Sequence, residues 1–295
     1  MYTIGIDLGG TNIRLGVCGE SGGASAVVKY PTAELMPKSA PEKLGDAIRS
    51  YIAESGVTPA AVGMGIPGTL SKDCKTVLNV PNLPELNGLP LAELLSERAG
   101  VPVFLENDTV MLLNGDLRRM KLPREGIILG AYVGTGLGSA VFYNGVPLKG
   151  KNGLNELGHV PLPGRKDRCG CGNLGCAECY VSGSFLQRLR AERFPETHIS
   201  DLFTAMRGTA ELEDYIETLA CTLAGAVNLL DPALMILGGG VPAMRDFPWE
   251  RIEAAIREHA MKPQPSEGLC LIRSENADSV GILGAADFAR RRLAE

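Results

Sequence analysis

Long runs of like charge are missing from this sequence. No basic cluster exceeds Arg290-Arg291-Arg292, and 29 Lys and Arg stand against 34 Asp and Glu, a formal charge of −5. A nucleic-acid partner needs a concentrated basic face, so none is expected. The opening Met1-Tyr-Thr-Ile-Gly-Ile-Asp7 has no basic stretch and meets an acid early, which predicts no secretion signal and a cytoplasmic protein. The longest uncharged run, Gly126 to Leu148, could span a membrane by length. Its six glycines, with Asn144 and Pro147, fit strands punctuated by turns better than a lipid-facing helix, so no membrane partner is expected. Low-complexity segments are missing too. So are the Walker A pattern G-x-x-x-x-G-K-[ST] and the protein-kinase signatures, so any nucleotide site must use another cradle.

Glycine, in contrast, is abundant: 37 of 295 residues, against a usual share of about 7%. At that density, without a collagen period, glycine marks places where backbone turns tightly or comes close to something. Hydrophobic residues at 45% and charged residues at 21% are those of a chain that buries a core. The length allows two lobes with a cleft between them. Of eight cysteines, Cys169, Cys171, Cys176 and Cys179 crowd together, while Cys18, Cys74, Cys221 and Cys270 are scattered. In a reducing compartment such a cluster more often binds metal than forms disulfides.

The first thirty residues alternate as a meander of strands, at Tyr2 to Asp7, Asn12 to Val17 and Ala26 to Tyr30, with glycine turns between. Helical spacing begins near Pro41. A strand over Ala61 to Ile66, a helix over Pro90 to Ala99, a strand over Val101 to Leu105 and a helix over Asp108 to Met120 follow. The motif Ile4-Gly-Ile-Asp-Leu-Gly-Gly-Thr11 then recurs as Leu129-Gly-Ala-Tyr-Val-Gly-Thr-Gly136. Gly5 to Gly130 and Gly9 to Gly134 are both offsets of 125, so the chain reads as two copies of one lobe. Helices are predicted over Ser184 to Phe194, over Glu211 to Leu230 with Leu212, Tyr215, Ile216, Leu219, Leu223, Val227 and Leu230 on one apolar stripe, after Pro248, and from Gly281 to Leu293, with a strand over Ala233 to Leu237.

Gly63-Met-Gly65-Ile-Pro-Gly68 matches G-x-G-x-x-G, with Glu85 some way beyond. A dinucleotide site needs a helix to start within those glycines, and Pro67-Gly68 predicts a turn instead. Asp7-Leu-Gly9-Gly10-Thr11 is a better phosphate cradle. Its glycines let successive N–H groups face an anion, Thr11 adds a hydroxyl, and Asp7 can hold Mg²⁺ through water. A plain hairpin turn is the alternative, and the echo at Gly134-Thr135-Gly136 favours paired phosphate turns. In Glu106-Asn107-Asp108 a carboxylate can take the proton of an alcohol in phosphoryl transfer, although Asn and Asp are also common helix caps. His159, from Glu156-Leu-Gly-His159, can join Cys169, Cys171 and Cys176 around a structural Zn²⁺. A four-cysteine set using Cys179, or a metal-free reduced cluster, are the alternatives.

In this order, Asp7-Leu-Gly-Gly-Thr11, Glu106-Asn-Asp108, Gly134-Thr-Gly136, Glu156-Leu-Gly-His159, Cys169-Gly-Cys171-Gly-Asn-Leu-Gly-Cys176-Ala-Glu178 and Gly238-Gly-Gly240 resemble the ROK family of bacterial sugar kinases and sugar-responsive repressors, from about Ile4 to Ala289. The resemblance implies an α/β fold of the actin-like ATPase (ribonuclease H-like) type, with two lobes, each a mixed sheet flanked by helices, and a ligand cleft between. It implies a first lobe over 1–118, a second over 119–280, and a C-terminal helix, 281–295, packed back on the first. Asp108 would be the catalytic base, and Asn82, Asn107, Asp108, Glu156, His159 and Glu178 would hold sugar hydroxyls. Asp7, Gly9, Gly10, Thr11, Gly134, Thr135 and Gly136 would serve the ATP phosphates and Gly238, Gly239 and Gly240 the adenosine. Mg-ATP, a structural zinc and a homodimer complete the expectation.

Two departures stand out: Asn155 where family members usually carry Gly, and Cys179 as an extra thiol. Within the family, Ser71-Lys-Asp73, Pro81-Asn-Leu-Pro84, Ala131 to Gly136 and Asn228-Leu-Leu-Asp-Pro232 look like the D-allose kinase branch. That implies transfer of the γ-phosphoryl group to the 6-hydroxyl of D-allose, with glucose, fructose and N-acetylmannosamine as alternative acceptors. A sugar-sensing regulator is the remote alternative, disfavoured because Met1 leads directly into the first strand.

Overall fold

The computed structural model describes residues 1–35, 40–81, 83–151, 155–275 and 279–294. In chain order come β1 (Thr3–Leu8), β2 (Asn12–Cys18), β3 (Ala24–Pro31), α1 (Thr32–Leu35), α2 (Ala40–Glu54), β4 (Val62–Ile66), β5 (Thr69–Leu70) and β6 (Val77–Asn79). Then follow α3 (Leu91–Ala99), β7 (Val103–Asn107), α4 (Asp108–Arg119), β8 (Ile127–Val133), β9 (Leu137–Tyr143), β10 (Val146–Pro147), α5 (Glu178–Val181), α6 (Gly183–Arg193) and α7 (Leu202–Ala205). The chain continues with α8 (Ala210–Leu230), β11 (Leu234–Gly238), α9 (Trp249–His259), β12 (Leu271–Arg273) and α10 (Val280–Arg292).

These elements divide into two units. One comprises Met1–Pro123, Lys149–Leu154 and Ala277–Glu295; the other comprises Arg124–Leu148 and Asn155–Asn276. The return of Lys149–Leu154 to the first unit has no counterpart in the division drawn from sequence, which kept 119–280 together. The two main sheets have the same plan. Strand order is β3-β2-β1-β4-β7 in the first unit and β10-β9-β8-β11-β12 in the second. In each, an antiparallel meander is extended by two parallel strands. The repeat read from glycine spacing is therefore a repeat of topology.

Strands β4 and β11 are buried along their whole length, as parallel strands covered on both faces must be. In β1 the period of two decides what meets each face. Ile4, Ile6 and Leu8 join Leu44 and Ile48 of α2 and Leu95 of α3 in one core. The alternate residues meet α10. Thr3 Oγ1 donates to the Ala286 carbonyl at 3.0 Å, and a Cβ at Gly5 would lie 1.8 Å from the Ile282 carbonyl oxygen. Gly63 on β4 meets the Ala285 oxygen as closely, at 1.9 Å, and Gly284 meets the Met111 oxygen of α4 at 1.8 Å. The C-terminal helix thus lies on the sheet and on α4 backbone to backbone. Asn114 Nδ2, donating to the Gly284 carbonyl at 2.8 Å, and the Arg118–Asp287 ion pair at 2.8 Å lock the crossing.

The second unit is built around α8. Of its predicted stripe, Leu212, Tyr215, Ile216, Leu219, Leu223 and Val227 are buried in one core with Leu129, Ala131 and Val133 of β8 and Ile252 and Ile256 of α9, and Leu230 is partly buried at its edge. Thr209 caps the helix by accepting from the Leu212 N–H, and Asp231, left-handed at φ 43°, ends it before Pro232. After Gly63 to Gly68 the chain enters β5 and no helix, which removes the dinucleotide reading of those glycines. Among the described residues no helix is long and apolar enough to cross a membrane.

Two alanine substitutions should separate contact glycine from incidental glycine. Gly284→Ala drives a methyl group into the Met111 carbonyl and should destabilise the protein by about 1–3 kcal/mol or more. Gly225, exposed in the middle of α8 with nothing within 4 Å of its would-be Cβ, should gain up to about 1 kcal/mol on change to alanine. Urea unfolding followed by circular dichroism reads both as opposite shifts of the midpoint.

Candidate active site

Both glycine turns close a β-hairpin, and both are tied down by their carbonyls. In the first, Gly9 N–H donates to the Asn12 carbonyl at 2.9 Å. Buried Thr32, at the start of α1, then takes two of the turn's oxygens: its hydroxyl donates to the Gly9 carbonyl at 2.7 Å and its N–H to the Thr11 carbonyl at 2.8 Å. In the second, Gly134 N–H donates to the Gly136 carbonyl at 2.9 Å. Gly183 N–H donates to the Gly134 carbonyl at 2.7 Å, and Ser184 reaches the Thr135 carbonyl through its N–H at 3.2 Å and its hydroxyl at 2.8 Å. In a trans peptide the C=O of one residue and the N–H of the next point in opposite directions. Carbonyls turned toward Thr32, Gly183 and Ser184 therefore send the N–H groups of Gly10, Thr135 and Gly136 the other way. That is the backbone geometry an anion requires. Thr32, Gly183 and Ser184 carry no motif of their own; their positions at helix starts are the signal sequence reasoning passed over.

Asp7 lies opposite Arg14 across the β1–β2 ladder, and the guanidinium donates to its Oδ2 at 3.3 Å. On the helix side it packs on Gly281, whose would-be Cβ lies 3.0 Å from the Asp7 carboxyl carbon.

Parallel strand β7 delivers Glu106-Asn107-Asp108 to the start of α4, and burial separates their roles. Glu106 is 5% exposed and paired with Lys149 at 2.6 Å; its other oxygen accepts the Asn107 N–H at 2.9 Å. Lys149 Nζ also lies 2.8 Å from Cys74 Sγ. Burial opposes the lysine charge, but Glu106 and Cys74 outweigh it and hold the Lys149 pKa above its usual value. Burial, helped by Glu106, pushes the Cys74 thiol up. Asn107 is the N-cap of α4, its Oδ1 accepting the Thr109 N–H at 3.0 Å while Nδ2 donates to the Gly68 carbonyl at 3.2 Å. The cap reading is thus correct for Asn107, and Nδ2 keeps a second hydrogen for a ligand. Asp108 is partly exposed, and its Oδ1 accepts the Thr109 N–H at 2.8 Å. With Glu106 committed to Lys149, Asp108 is the carboxylate of this triplet that solvent or substrate can reach. A cavity of about 160 Å³ adjoins Asn107, lined also by Ser71, Lys72, Cys74, Lys149 and Gly150. Lys149 and Cys74 were not foreseen, since only the folded chain brings them to Glu106. Asn82 lies outside the described residues.

In the second unit Glu156 and His159 flank a single helical turn, where Gly158 is required because a Cβ would meet the Leu137 carbonyl at 2.3 Å. Ser139 fastens this segment to β9, donating to the Asn155 carbonyl at 2.6 Å and accepting the Leu157 N–H at 3.3 Å. The Asn155 side chain donates to the Leu148 carbonyl at 2.8 Å, so here it is a backbone staple. The His159 ring stands between two carboxylates, with Nε2 3.8 Å from Glu156 and Nδ1 3.6 Å from Glu178. Glu178 reaches the second glycine turn as well: its Oε2 accepts the Leu137 N–H at 3.4 Å and lies 2.7 Å from the would-be Cβ of Gly136.

His159, Cys169, Cys171 and Cys176 each offer a ligand atom within 4.8 Å of the other three. His159 Nδ1 is 3.5 Å from Cys169 Sγ, and Cys171 Sγ is 3.7 Å from Cys176 Sγ. Tetrahedral zinc, with Zn–S of about 2.3 Å and Zn–N of about 2.0 Å, sets those edges at about 3.6 Å and about 3.8 Å. The residues present therefore fit the ion, and Cys179 is not among the four. Burial pushes the Cys169 and Cys176 thiols up, while the Asn173 backbone N–H holds the Cys171 thiol down.

Gly238 to Gly240 end β11. A Cβ on Gly238 would meet Ser274 at 2.5 Å, and Gly239, at φ 100°, lies against the Val133 backbone, so packing by itself accounts for both. Gly240 has open space around its would-be Cβ.

The chain is similar to glucokinase from Thermotoga maritima, 28% identical over 314 residues with 98% of each chain covered. It is 30% identical to N-acetyl-D-glucosamine kinase from Vibrio cholerae, over 96% of this chain and 97% of that one. The crystal structure of a ROK family glucokinase from Streptomyces griseus in complex with glucose and AMPPNP superposes with a TM-score of 0.82, at 27% identity, over 99% of this chain and 100% of that one. The fold is thus the actin-like ATPase fold of the ROK kinases. With its family model matched over residues 3–292, the chain belongs to the ROK family.

Proposed function

We propose that this protein is an ATP-dependent hexokinase that transfers the γ-phosphoryl group to the 6-hydroxyl of a hexose. The observation that carries this reading is the pair of carbonyl-tied glycine turns, one in each unit, joined in the first unit by a reachable carboxylate, Asp108, beside a capping Asn107. The similar relatives are named as sugar kinases, and the ROK glucokinase structure holds glucose and AMPPNP, which supports it.

In the first unit, Asp108 accepts the proton of the 6-hydroxyl as the sugar oxygen bonds to the γ-phosphorus and the bond to the ADP oxygen breaks. Asn107, fixed as a helix cap, offers its remaining amide hydrogen to a neighbouring hydroxyl. The assignment of Asn82 to another hydroxyl rests on the family resemblance. Thr11 and the N–H group of Gly10 face phosphate, while Gly9, its own N–H spent on the Asn12 carbonyl, shapes the turn beside them. In the second unit the N–H groups of Thr135 and Gly136 do the same with Gly134 closing the turn, Gly240 opens space for the adenosine beside Gly238 and Gly239, and Glu156, His159 and Glu178 take sugar hydroxyls. Mg²⁺, held through water by Asp7, would supply charge neutralisation of the phosphates. A zinc ion on Cys169, Cys171, Cys176 and His159 Nδ1 would fix the imidazole so that Nε2 is left for the sugar. A cytoplasmic homodimer belongs to the same reading.

D-allose is the proposed acceptor, on the branch likeness at Ser71-Lys-Asp73 and Ala131 to Gly136. Glucose and N-acetyl-D-glucosamine, the sugars of the similar relatives' names, are the competitors. A coupled ADP-release assay across hexoses should give D-allose the highest kcat/KM; a higher value for either competitor reassigns the sugar and leaves the kinase reading intact.

Asp108→Asn should lower kcat by about 10²–10⁴-fold with the KM for sugar changed only a few-fold. Undiminished turnover in that variant would refute the assigned base. Metal analysis of protein dialysed against a mild chelator should find about one tightly held zinc per chain, lost in His159→Ala and kept in Cys179→Ser. The reverse pattern would identify a four-cysteine site instead.

A further inference from the structure

A second group of metal-ligating side chains lies on the surface of the second unit, apart from the residues given roles above. Glu217 and Cys221 stand one turn apart on α8, and His259 is the last residue of α9. His259 Nε2 is 2.9 Å from Glu217 Oε1, and Cys221 Sγ is 3.4 Å from the same oxygen. One donor atom from each of the three lies within 4.8 Å of the other two. Two helices supply the set, and their spacing is fixed next to it. Asn228 of α8 donates through Nδ2 to the His259 carbonyl at 3.2 Å and accepts the Met261 N–H at 2.7 Å, so the end of α9 that carries the imidazole is held to α8.

The chemistry selects the ion. A carboxylate and an imidazole by themselves make an ordinary surface ion pair. The Cys221 thiol donates a hydrogen bond to the same carboxylate oxygen, and with the pair it makes up a set of one oxygen, one nitrogen and one sulfur. Mg²⁺ and Ca²⁺ prefer oxygen alone, whereas zinc and its neighbours take mixed sets of this kind. The edges of a zinc polyhedron with O and N ligands at about 2.0 Å and S at about 2.3 Å run from about 3.3 to about 3.6 Å. The two edges to Glu217, 2.9 and 3.4 Å, need adjust by only a few tenths of an ångström, and the Cys221–His259 edge lies within 4.8 Å.

We propose that Glu217, Cys221 and His259 form a second site for a zinc-class divalent ion, with water in the remaining position. Binding replaces the thiol proton, Cys–SH plus M²⁺ giving Cys–S–M⁺ plus H⁺. All three side chains are exposed, so the ion exchanges with solvent and bridges the middle of α8 to the end of α9. This inference is independent of the sugar-kinase reading.

The test is equilibrium dialysis of the full chain against excess Zn²⁺, followed by metal analysis. Wild type should hold one zinc per chain more than Cys221→Ala and one more than His259→Ala, with far-UV circular dichroism and turnover unchanged in both. The His159 cluster is intact in all three proteins, so whatever it holds cancels in the difference. Titration with Co²⁺ should give a thiolate-to-cobalt absorption band in the wild-type minus Cys221→Ala difference spectrum. Equal zinc content in all three proteins, with no difference band, would overturn the proposal and leave a surface ion pair beside an idle thiol.

Discussion

The contact on which the first unit depends is backbone against backbone, where α10 crosses β1, β4 and α4. At Gly5, Gly63 and Gly284 a carbonyl oxygen lies less than 2 Å from where a side chain would begin. Such an approach is open only to glycine. It has a consequence for chemistry because α10 touches Asp7 directly and packs on the helix that begins with Asp108. Gly281 lies against the Asp7 carboxyl group, and the Gly284 contact fixes the height of α4, whose first residue is Asp108. Asn114, Arg118 and Asp287 then prevent the helices from sliding. A loose C-terminal helix would leave both carboxylates without a fixed position.

The second principle is how a turn is made to present donors. Glycine permits the conformation, and the direction of the N–H groups is set by what holds the carbonyls. Thr32 does this in the first unit, Gly183 and Ser184 in the second. Each anchor sits at the start of a helix, α1 or α6, so preorganisation is built from ordinary hydrogen bonds rather than from backbone strain. The same economy recurs at Asn107, where one amide caps a helix and still has a hydrogen to offer. At His159 one ring nitrogen faces the cysteine cluster and the other faces Glu156.

Burial, more than residue type, separates the acids. Glu106 and Asp108 are two positions apart, yet Glu106 is enclosed with Lys149 and Cys74 while Asp108 is partly exposed at a helix N-terminus. A buried carboxylate paired at 2.6 Å is a structural anchor, and here it steadies the backbone N–H of Asn107. Asn155, where the family usually carries glycine, ties its amide to the Leu148 carbonyl and staples the backbone there.

Local pattern by itself determined much of this protein. Alternation gave the meander, the apolar stripe gave α8, and spacing gave the repeat of the glycine turns and the grouping of His159 with Cys169, Cys171 and Cys176. Each of these depends on residues close in sequence or on a period that folding preserves. The D-allose likeness, read from scaffold positions, met relatives named for glucose and N-acetyl-D-glucosamine, since such positions record packing and not the pocket. Only the tertiary structure decided that Gly5, Gly63 and Gly284 serve contact and that Glu106 belongs to Lys149. The same holds for Thr32 and Ser184 aiming the turns, and for Glu217, Cys221 and His259 converging. The physical reason is the same throughout: which polar atom finds which partner is set by long-range packing, and no local period in the chain encodes it.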